Sequence, residues 1–585
     1  MHPSASAAHI PRPTLLACAA LLAAGAAHAA PIEVNQLGFL PAAQKLAVVP
    51  AGANDADARF KVVDAASGKA VFEGKLGPAA TWDASGASVR IADFSGLRTA
   101  GSYRVTVAGQ ADSPVFAIGP EPYRALDAGA IRAYTLQRAG MALDERIAGP
   151  YARPLGHPDD AVLVHASAAS ASRPAGTVLK SPKGWYDAGD YNKYIVNSGI
   201  STYTLLAAYE HFPAWFDKLA LNLPESGNGT PDLLNEVLWN LDWMATMQDP
   251  EDGGVYHKLT NKSFDGMVMP DKATAPRYVV QKTTAAALDF AAVMATASRV
   301  LAPFDAKAPG RSQRYLAAAE AAWRWAVKNP AELYRQPPDI KTGTYGDDKI
   351  DDEFSWAASE LYIATGKDEY RARALANAPA ASSAQTAPGW NAVRPLGWIS
   401  LAQQRARLPK PGDADQAQRQ ILAAADKLLA HWQASPARLS MAKSDFVWGS
   451  NAVVLNQAMM LVQAYRITHK ADYLNAAQSA LDYTLGRNPL GLSYVTGFGA
   501  RPAMHPHHRP SEADGIAAPL PGWLVGGPNP GQQDIRDCPA GTRYPSSQPA
   551  LSYLDLACSY ASNEVAINWN APLVYVAAAL QSLEH

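Results

Sequence analysis

Cysteine is scarce, with three residues in a chain of 585, which excludes a framework of several disulfides. An excess of one charge is also lacking: 53 acidic residues face 51 basic ones, leaving a formal net charge of −2. That balance gives no electrostatic footprint for nucleic acid or an anionic membrane, and a neutral polymer is the partner easiest to reconcile with it. Beyond the first thirty residues no apolar run is long enough to span a bilayer. No fixed repeat period is visible either, which argues against a simple solenoid.

The one notable apolar run lies at the start. Arg12 gives a weakly basic opening, Leu15 to Ala26 follow, and Ala27-His28-Ala29 reads as a small-x-small cleavage site. Residues 1–29 are therefore expected to be a signal peptide, and the mature protein to be periplasmic or secreted. Leu15-Leu16-Ala17-Cys18 faintly resembles a lipoprotein site, but in such sites the apolar region precedes the cysteine, and here it follows. Removing the leader removes Cys18 and leaves Cys538 and Cys558. These are either a disulfide suited to an oxidising compartment or two unpaired buried thiols.

A chain this long exceeds one compact core, so at least two domains are expected. From residue 30 to 118, short alternating segments (Lys45–Val49, Phe60–Val63, Ser88–Ile91, Tyr103–Val107) are separated by turns such as Asp64-Ala65-Ala66-Ser67-Gly68, the pattern of a small β-sandwich. Gly119-Pro120-Glu121-Pro122 reads as a hinge. From residue 123 to 585 helices dominate. Thr230-Pro231 predicts a helix start capped by Thr230, and Leu233, Leu234, Val237, Leu238, Leu241 and Met244 then share one apolar face. Similar faces recur at Ile421–Trp432, Met459–Tyr465 and Tyr473–Leu481. Long Gly/Pro/Trp-rich loops join them, pointing to a mainly α toroid whose loops carry the function.

Three loops hold the chemistry. Gly184-Trp185-Tyr186-Asp187-Ala188-Gly189-Asp190-Tyr191 sets two carboxylates around Ala-Gly in a turn able to aim both at one point; the alternative is an Asx-type turn capping the following helix. His505-Pro506-His507-His508-Arg509 invites a metal, yet adjacent histidines rarely enter one coordination sphere, so donors to sugar hydroxyls or to a carboxylate fit better. Ser562 to Asn570 sets Glu564 beside apolar residues and Trp569, where its pKa can rise as a general acid requires. The bland alternative is a glutamate favoured by a helix dipole. Paired carboxylates, with aromatic faces that stack on sugar rings, are the machinery of glycosidic cleavage.

Over nearly the whole mature chain the sequence resembles glycoside hydrolase family 9, in the subgroup with an N-terminal immunoglobulin-like domain. The likeness opens at Ile32–Phe39 and runs through Trp185–Tyr194, Pro231–Gln248 and Trp356–Gly366 to Asn570-Ala571-Pro572-Leu573. Ser493, Val495, Thr496, Gly499, Arg501, Pro506, His507 and Arg509 fall at the spacings of the family's histidine signature. Tyr553, Asp555, Tyr560, Glu564, Ala566, Asn570 and Ala571 fall at those of its acidic signature. The resemblance implies an (α/α)6 barrel over 123–585 behind an immunoglobulin-like sandwich over 30–118, with β-1,4-glucan as substrate and an inverting mechanism. It implies Asp190 as catalytic base, Asp187 helping to hold the attacking water, and Glu564 as general acid, with the acid and base carboxyls roughly 6.5–9.5 Å apart. It further implies that His507 and Arg509 meet sugar hydroxyls, that Asp555 is the acidic partner, and that Tyr186, His257, Trp448 and Trp569 line subsites.

Calcium is implied as well. Asp347–Glu353 resembles the family's calcium loop, with Asp352 and Glu353 at ligand positions, Asp348 and the Lys349 carbonyl as further contacts, and Asn391 at a more distant one. A solvated acidic run is the alternative, and an asparagine at 391 in place of a carboxylate weakens the site. Relatives with this N-terminal domain often carry zinc on a Gln-Arg-Cys-Gly and a Cys-His segment. Here these read Gln137-Arg138-Ala139-Gly140 and Gly156-His157, so no structural zinc is expected. The expectation is a monomeric endo-β-1,4-glucanase whose partner is a glucan chain, not nucleic acid or membrane. Leu573–Leu580 lies just before the last residue, His585, leaving no room for a cellulose-binding module, so soluble or amorphous glucan is favoured. An exo-acting β-glycosidase on short gluco- or glucosamine oligosaccharides is the alternative. A non-catalytic binding protein or a helical scaffold would have no use for Asp187, Asp190 and Glu564.

Overall fold

The computed structural model describes residues 32–51, 59–376 and 387–583, so the leader read at residues 1–29 lies outside it. The N-terminal strands are β1 (Gly38–Phe39), β2 (Leu46–Pro50), β3 (Arg59–Asp64), β4 (Ala70–Lys75), β5 (Ala80–Trp82), β6 (Ala87–Asp93), β7 (Gly101–Val107) and β8 (Phe116–Ile118). They form sheets of order β1-β8-β7-β3-β4 and β2-β6-β5. Alternation does the sorting: Phe60 and Val62 of β3 point inward while Arg59 and Lys61 are exposed. Phe60, Val62, Val105 and Phe116 meet Ala47 and Val49 of β2 in one apolar core. The turn read at Asp64–Gly68 closes as expected, with the Ser67 N–H donating to Asp64 Oδ1 at 2.8 Å.

The helical part contains α1 (Arg124–Leu136), α2 (Ile195–His211), α3 (Asp232–Thr246), α4 (Thr284–Val300), α5 (Arg311–Lys328), α6 (Asp351–Thr365), α7 (Asp368–Ala374), α8 (Arg394–Gln403), α9 (Asp413–Ala434), α10 (Ser450–Thr468), α11 (Ala471–Thr484) and α12 (Ile567–Ser582), besides shorter turns. Their packing is cyclic: α12 lies on α2, α2 on α4, α4 on α6, α6 on α8, α9 on both α8 and α10, and α10 back on α12. A second set covers the first, with α1 on α12, α3 on α2, α5 on α4, α7 on α6 and α11 on α10. Sequence separates the sets. Every residue of alanine-rich α4 is buried, whereas α5 buries a single stripe that includes Tyr315, Ala319, Ala322 and Ala326.

Helix α3 corrects one expectation. Pro231 occupies the cap position without a side-chain cap bond, and the Thr230 carbonyl accepts the Asn235 side chain at 3.0 Å instead. Pro231 is extended, with ψ at 142°, so the helix starts one residue later than Thr230 capping requires.

Two contacts fix the assembly. Gln36, from the opening segment of the sandwich, bonds Gly491 O at 3.0 Å through its Nε2 and receives the Arg501 N–H on its Oε1 at 2.9 Å. The segment leading to the histidine loop is therefore tied to the sandwich. Among the buried helices, Arg299 of α4 pairs with Glu210 of α2 at 2.8 Å and with Glu360 of α6 at 2.7 Å. Removing the cation leaves two carboxylates largely out of water with no counter-charge. Arg299→Met is expected to lower stability by about 3–5 kcal/mol, read from denaturant unfolding; an unchanged midpoint would show that the pairing contributes nothing net.

Candidate active site

The loops that carried chemistry in the sequence come just before buried helices. The 187–190 turn precedes α2, Tyr345 precedes α6, Trp390 precedes α8, Trp448 precedes α10 and Glu564 precedes α12. They wall one cleft of about 540 Å³, lined by Asp187, Asp190, Glu564, His507 and Arg509 and by the rings of Tyr194, Phe264, Tyr345, Trp390, Trp448 and Tyr560. Helix N-termini present unpaired N–H groups and the positive end of the helix dipole, a setting that favours carboxylates.

Backbone bonds between loops set the geometry. Ala188 pairs with Ala566, and His507 pairs with Glu564. The Ile567 N–H donates to Asp187 O at 2.9 Å, and the Gly526 N–H to Glu564 O at 2.9 Å. Gly189 lies where this ladder is tightest: a Cβ there would stand 2.2 Å from the His507 carbonyl oxygen, so only glycine fits. The Gly189 carbonyl in turn accepts Arg509 Nη1 at 2.7 Å, which aims the guanidinium into the cleft beside Asp190.

The three carboxyls are tuned apart. Asp187 accepts Asn197 Nδ2 on Oδ1 and the Tyr345 hydroxyl on Oδ2, each at 2.7 Å. Burial, with the charge of Asp190 added, pushes it up to about 8. Burial raises Asp190 as well, but Arg509, the Asn192 amide and the Tyr194 hydroxyl all pull against it. Glu564 is held well above the usual carboxyl range by burial first and then by the charges of Asp190 and Asp187. Arg509 acts on both Asp190 and Glu564, but Asp190 also has the Asn192 and Tyr194 donors, whereas Glu564 has two carboxyl neighbours that add to its rise. His507 lies 2.6 Å from the Ala557 carbonyl through Nδ1, which must then hold the ring proton. Burial keeps the ring neutral, so Nε2 is an acceptor for a hydroxyl.

Several expected site residues lie elsewhere. Tyr186 is fully buried with Ala139, Tyr191 and Ala273, and His157 Nδ1 lies 2.9 Å from its hydroxyl. His257 is buried, stacked on Tyr334 at 4.0 Å, with Nε2 on the Thr344 carbonyl at 2.7 Å. It shapes the loop that carries Tyr345 and does not line the cleft. Trp569 packs over Gly449, with its Nε1 2.7 Å from where a Cβ would stand, and is not among the residues lining the cleft. Asp555 accepts the N–H groups of Met504 and His505, each at 2.9 Å, and so braces the histidine loop from outside the cleft. His508 is likewise internal, bonded to Ser511 and Gln137 at 2.9 Å. Sequence reading missed Tyr194, Phe264, Tyr345 and Trp390. Tyr345 and Trp390 had a legible signal, each being an aromatic beside glycine just before a helix.

At the acidic run, Asp352 Oδ2 accepts the Val393 N–H at 2.9 Å, while Asp348, Lys349 and Asn391 are exposed. Asp289 of α4, missed from sequence, joins Asp347, Asp352 and Glu353; burial raises all four, and neighbouring carboxylates add to the rise of Asp289, Asp347 and Glu353. Both oxygens of Asp289 and of Glu353, and Oδ2 of Asp347, meet no hydrogen-bond donor. The carboxyls do not close on one point, and among the described residues no three Asp, Glu, His or Cys side chains form a metal-holding group. Cys538 and Cys558 are joined as a disulfide beside the Glu564 loop.

A buried carboxyl trio in an aromatic-walled cleft defines a glycoside hydrolase, and comparison with known proteins gives the family. Residues 123–577 match glycosyl hydrolase family 9, and residues 27–112 match the cellulase N-terminal ig-like domain. A xyloglucan-specific endo-β-1,4-glucanase of Bacteroides ovatus is 47% identical over 94% of each chain. Endoglucanase D of Acetivibrio thermocellus is 33% identical over 94% of this chain and 83% of its own. Among solved structures, a Bacteroides ovatus family 9 protein superposes with a TM-score of 0.87 at 46% identity, covering 94% of this chain and 99% of that one. A thermostable endoglucanase of Alicyclobacillus acidocaldarius gives 0.83 at 34% identity, covering 94% and 100%. The chain belongs to glycosyl hydrolase family 9.

The ladder around Gly189 gives a test. Gly189→Ala must move His507 or the Asp190 turn, and a displacement near 1 Å is expected to lower kcat about 100-fold with helical content retained. Wild-type turnover with that methyl present would show that the close approach is not needed.

Proposed function

We propose that this protein hydrolyses internal β-1,4-glucosidic bonds of a glucan, with inversion, by the paired action of Asp190 and Glu564. The observation that supports it is one cleft that gathers both carboxyls under different neighbours: burial raises both, Arg509, Asn192 and Tyr194 pull Asp190 back toward the anion, and the charges of Asp190 and Asp187 add to the rise of Glu564. Asp190 takes a proton from water as its oxygen attacks C1. Glu564 gives its proton to the departing glycosidic oxygen, and Asp187 helps Asp190 hold the water. Exposed Trp448 and Phe264, with Trp390 and Tyr560, supply faces for sugar rings. The cyclic helix pairing supports an (α/α)6 barrel as the scaffold. The xyloglucan-specific relative supports a branched glucan as the first substrate to try, and the apolar leader supports export to the periplasm or medium. Among the described residues no helix is long and apolar enough to cross a membrane.

Asp190→Ala is expected to lower turnover about 100- to 10,000-fold on any β-glucan leaving group, with partial rescue by azide. Glu564→Gln is expected to lose as much on glucan but less on an activated aryl glycoside, whose leaving group needs little protonation. The first-formed reducing end should be the α-anomer by NMR; the β-anomer would overturn inversion and the role of Asp190.

Calcium fits the chemistry of the acidic run, because buried carboxylate oxygens without donors are what a hard cation takes. Asp347, Asp352 and Glu353 would have to draw together to hold it, and it would supply charge compensation, not catalysis. Metal analysis is expected to find calcium, and chelation to lower the melting temperature, the linked stabilisation being about 2.7 kcal/mol at calcium near 100 times Kd. A melting temperature indifferent to chelation would remove the calcium reading.

A further inference from the structure

Lys258 is fully buried, and its ammonium group touches neutral oxygens: Gly343 O at 2.6 Å, and Thr342 Oγ1 and Gln336 Oε1 at 3.1 Å each. A buried cation without a contacting carboxylate is expensive: burial lowers Lys258 to about 7, and the charge that acts the other way is Asp190. The two are joined by a chain of hydrogen bonds. Lys258 uses an N–H on Thr342 Oγ1, so Thr342 turns its own hydrogen toward Thr260 Oγ1 at 2.7 Å. The Thr260 hydroxyl is shared between the Asn261 carbonyl at 2.8 Å and Asn192 Oδ1 at 3.0 Å, and the Asn192 amide N–H reaches Asp190 Oδ2. The Asn261 N–H also donates to Asn192 Oδ1, at 3.1 Å, fixing which end of that amide faces the carboxylate. Strand pairing delivers the chain, since Lys258 lies opposite Tyr194, whose hydroxyl also reaches Asp190 Oδ2, at 3.4 Å.

We propose that Lys258 is a positioning residue for hydrolysis: through Thr342, Thr260 and Asn192 it sets the donor direction of a chain ending on Asp190, orienting that carboxylate and favouring its ionised form. The proposal rests on Asp190 being the base. In its protonated form Lys258 adds a positive charge to that of Arg509. Asp187 and Glu564 repel the Asp190 anion, and Tyr194 lies between Asp190 and Lys258. His257 beside Lys258 is held neutral by burial, down to about 3, and Tyr334 offers Lys258 a ring face at 5.2 Å.

The test is the pH profile of kcat/KM on soluble β-glucan for Lys258→Met, Lys258→Arg and Thr260→Val. A positive charge favours the Asp190 anion, so its removal raises the pH at which the base ionises. Lys258→Met is expected to move the acidic limb upward by about one pH unit and to lower kcat about tenfold, with KM little changed. Lys258→Arg should leave the limb in place. Thr260→Val keeps the cation and cuts the chain, and should lower kcat with a smaller shift of the limb. A wild-type limb and kcat in Lys258→Met overturn the proposal; if that variant does not fold, unchanged kcat in Thr260→Val overturns it instead. Full activity in Asp190→Ala would instead remove the reading of Asp190 as base, so the two failures are distinguishable.

Discussion

The site depends on a short backbone ladder that binds three distant segments. The 187–189 turn, the histidine loop and the stretch entering α12 have no side-chain chemistry in common, yet they are joined by main-chain pairs at Ala188–Ala566 and His507–Glu564. These bonds hold the segments of Asp190 and Glu564 relative to each other through main-chain groups. The ladder closes because Gly189 lets two backbones approach to a distance no Cβ allows. The position of Arg509 follows from it, because the same glycine's carbonyl anchors the guanidinium.

Around that ladder the architecture works as a frame. A helix wrapped on all sides, such as α4, cannot carry a polar face and is built from alanine and other small residues. Its one cation, Arg299, is answered from both neighbouring buried helices. The segments that precede these helices carry the cleft, and helix N-termini tolerate buried acids better than any other part of the fold. The sandwich contributes at a distance, since Gln36 holds the segment from Gly491 to Arg501 from which the histidine loop departs.

Burial distributes the protons. Three carboxyls in one dry cleft cannot all ionise, and what separates their roles is which charges stand near each one. Arg509 favours the anion on Asp190. Glu564, facing two other carboxyls, keeps its proton. The acidic run before α6 shows the opposite case, in which Asp289 and Glu353 are raised with no donor to answer them.

The sequence by itself determined the two-domain order, the alternation of the sandwich strands, the amphipathic helices and the carboxyl-bearing loops, because periodicity and local spacing report backbone geometry directly. It also showed Asp187, Asp190, His507, Arg509, Glu564 and Trp448 as a set that one cleft then gathers. Only the tertiary structure decided which neighbours of those residues face the cleft. Tyr186 lies beside Asp187 in the chain but turns into a core of Tyr191 and Ala139. His257 is spent on a carbonyl, and Trp569 packs over a glycine. Tyr345 and Asp289 reach their partners from segments far along the chain. Which way a side chain points at a loop, and which charges surround it once water is gone, depend on atoms remote in sequence, and no local pattern encodes them.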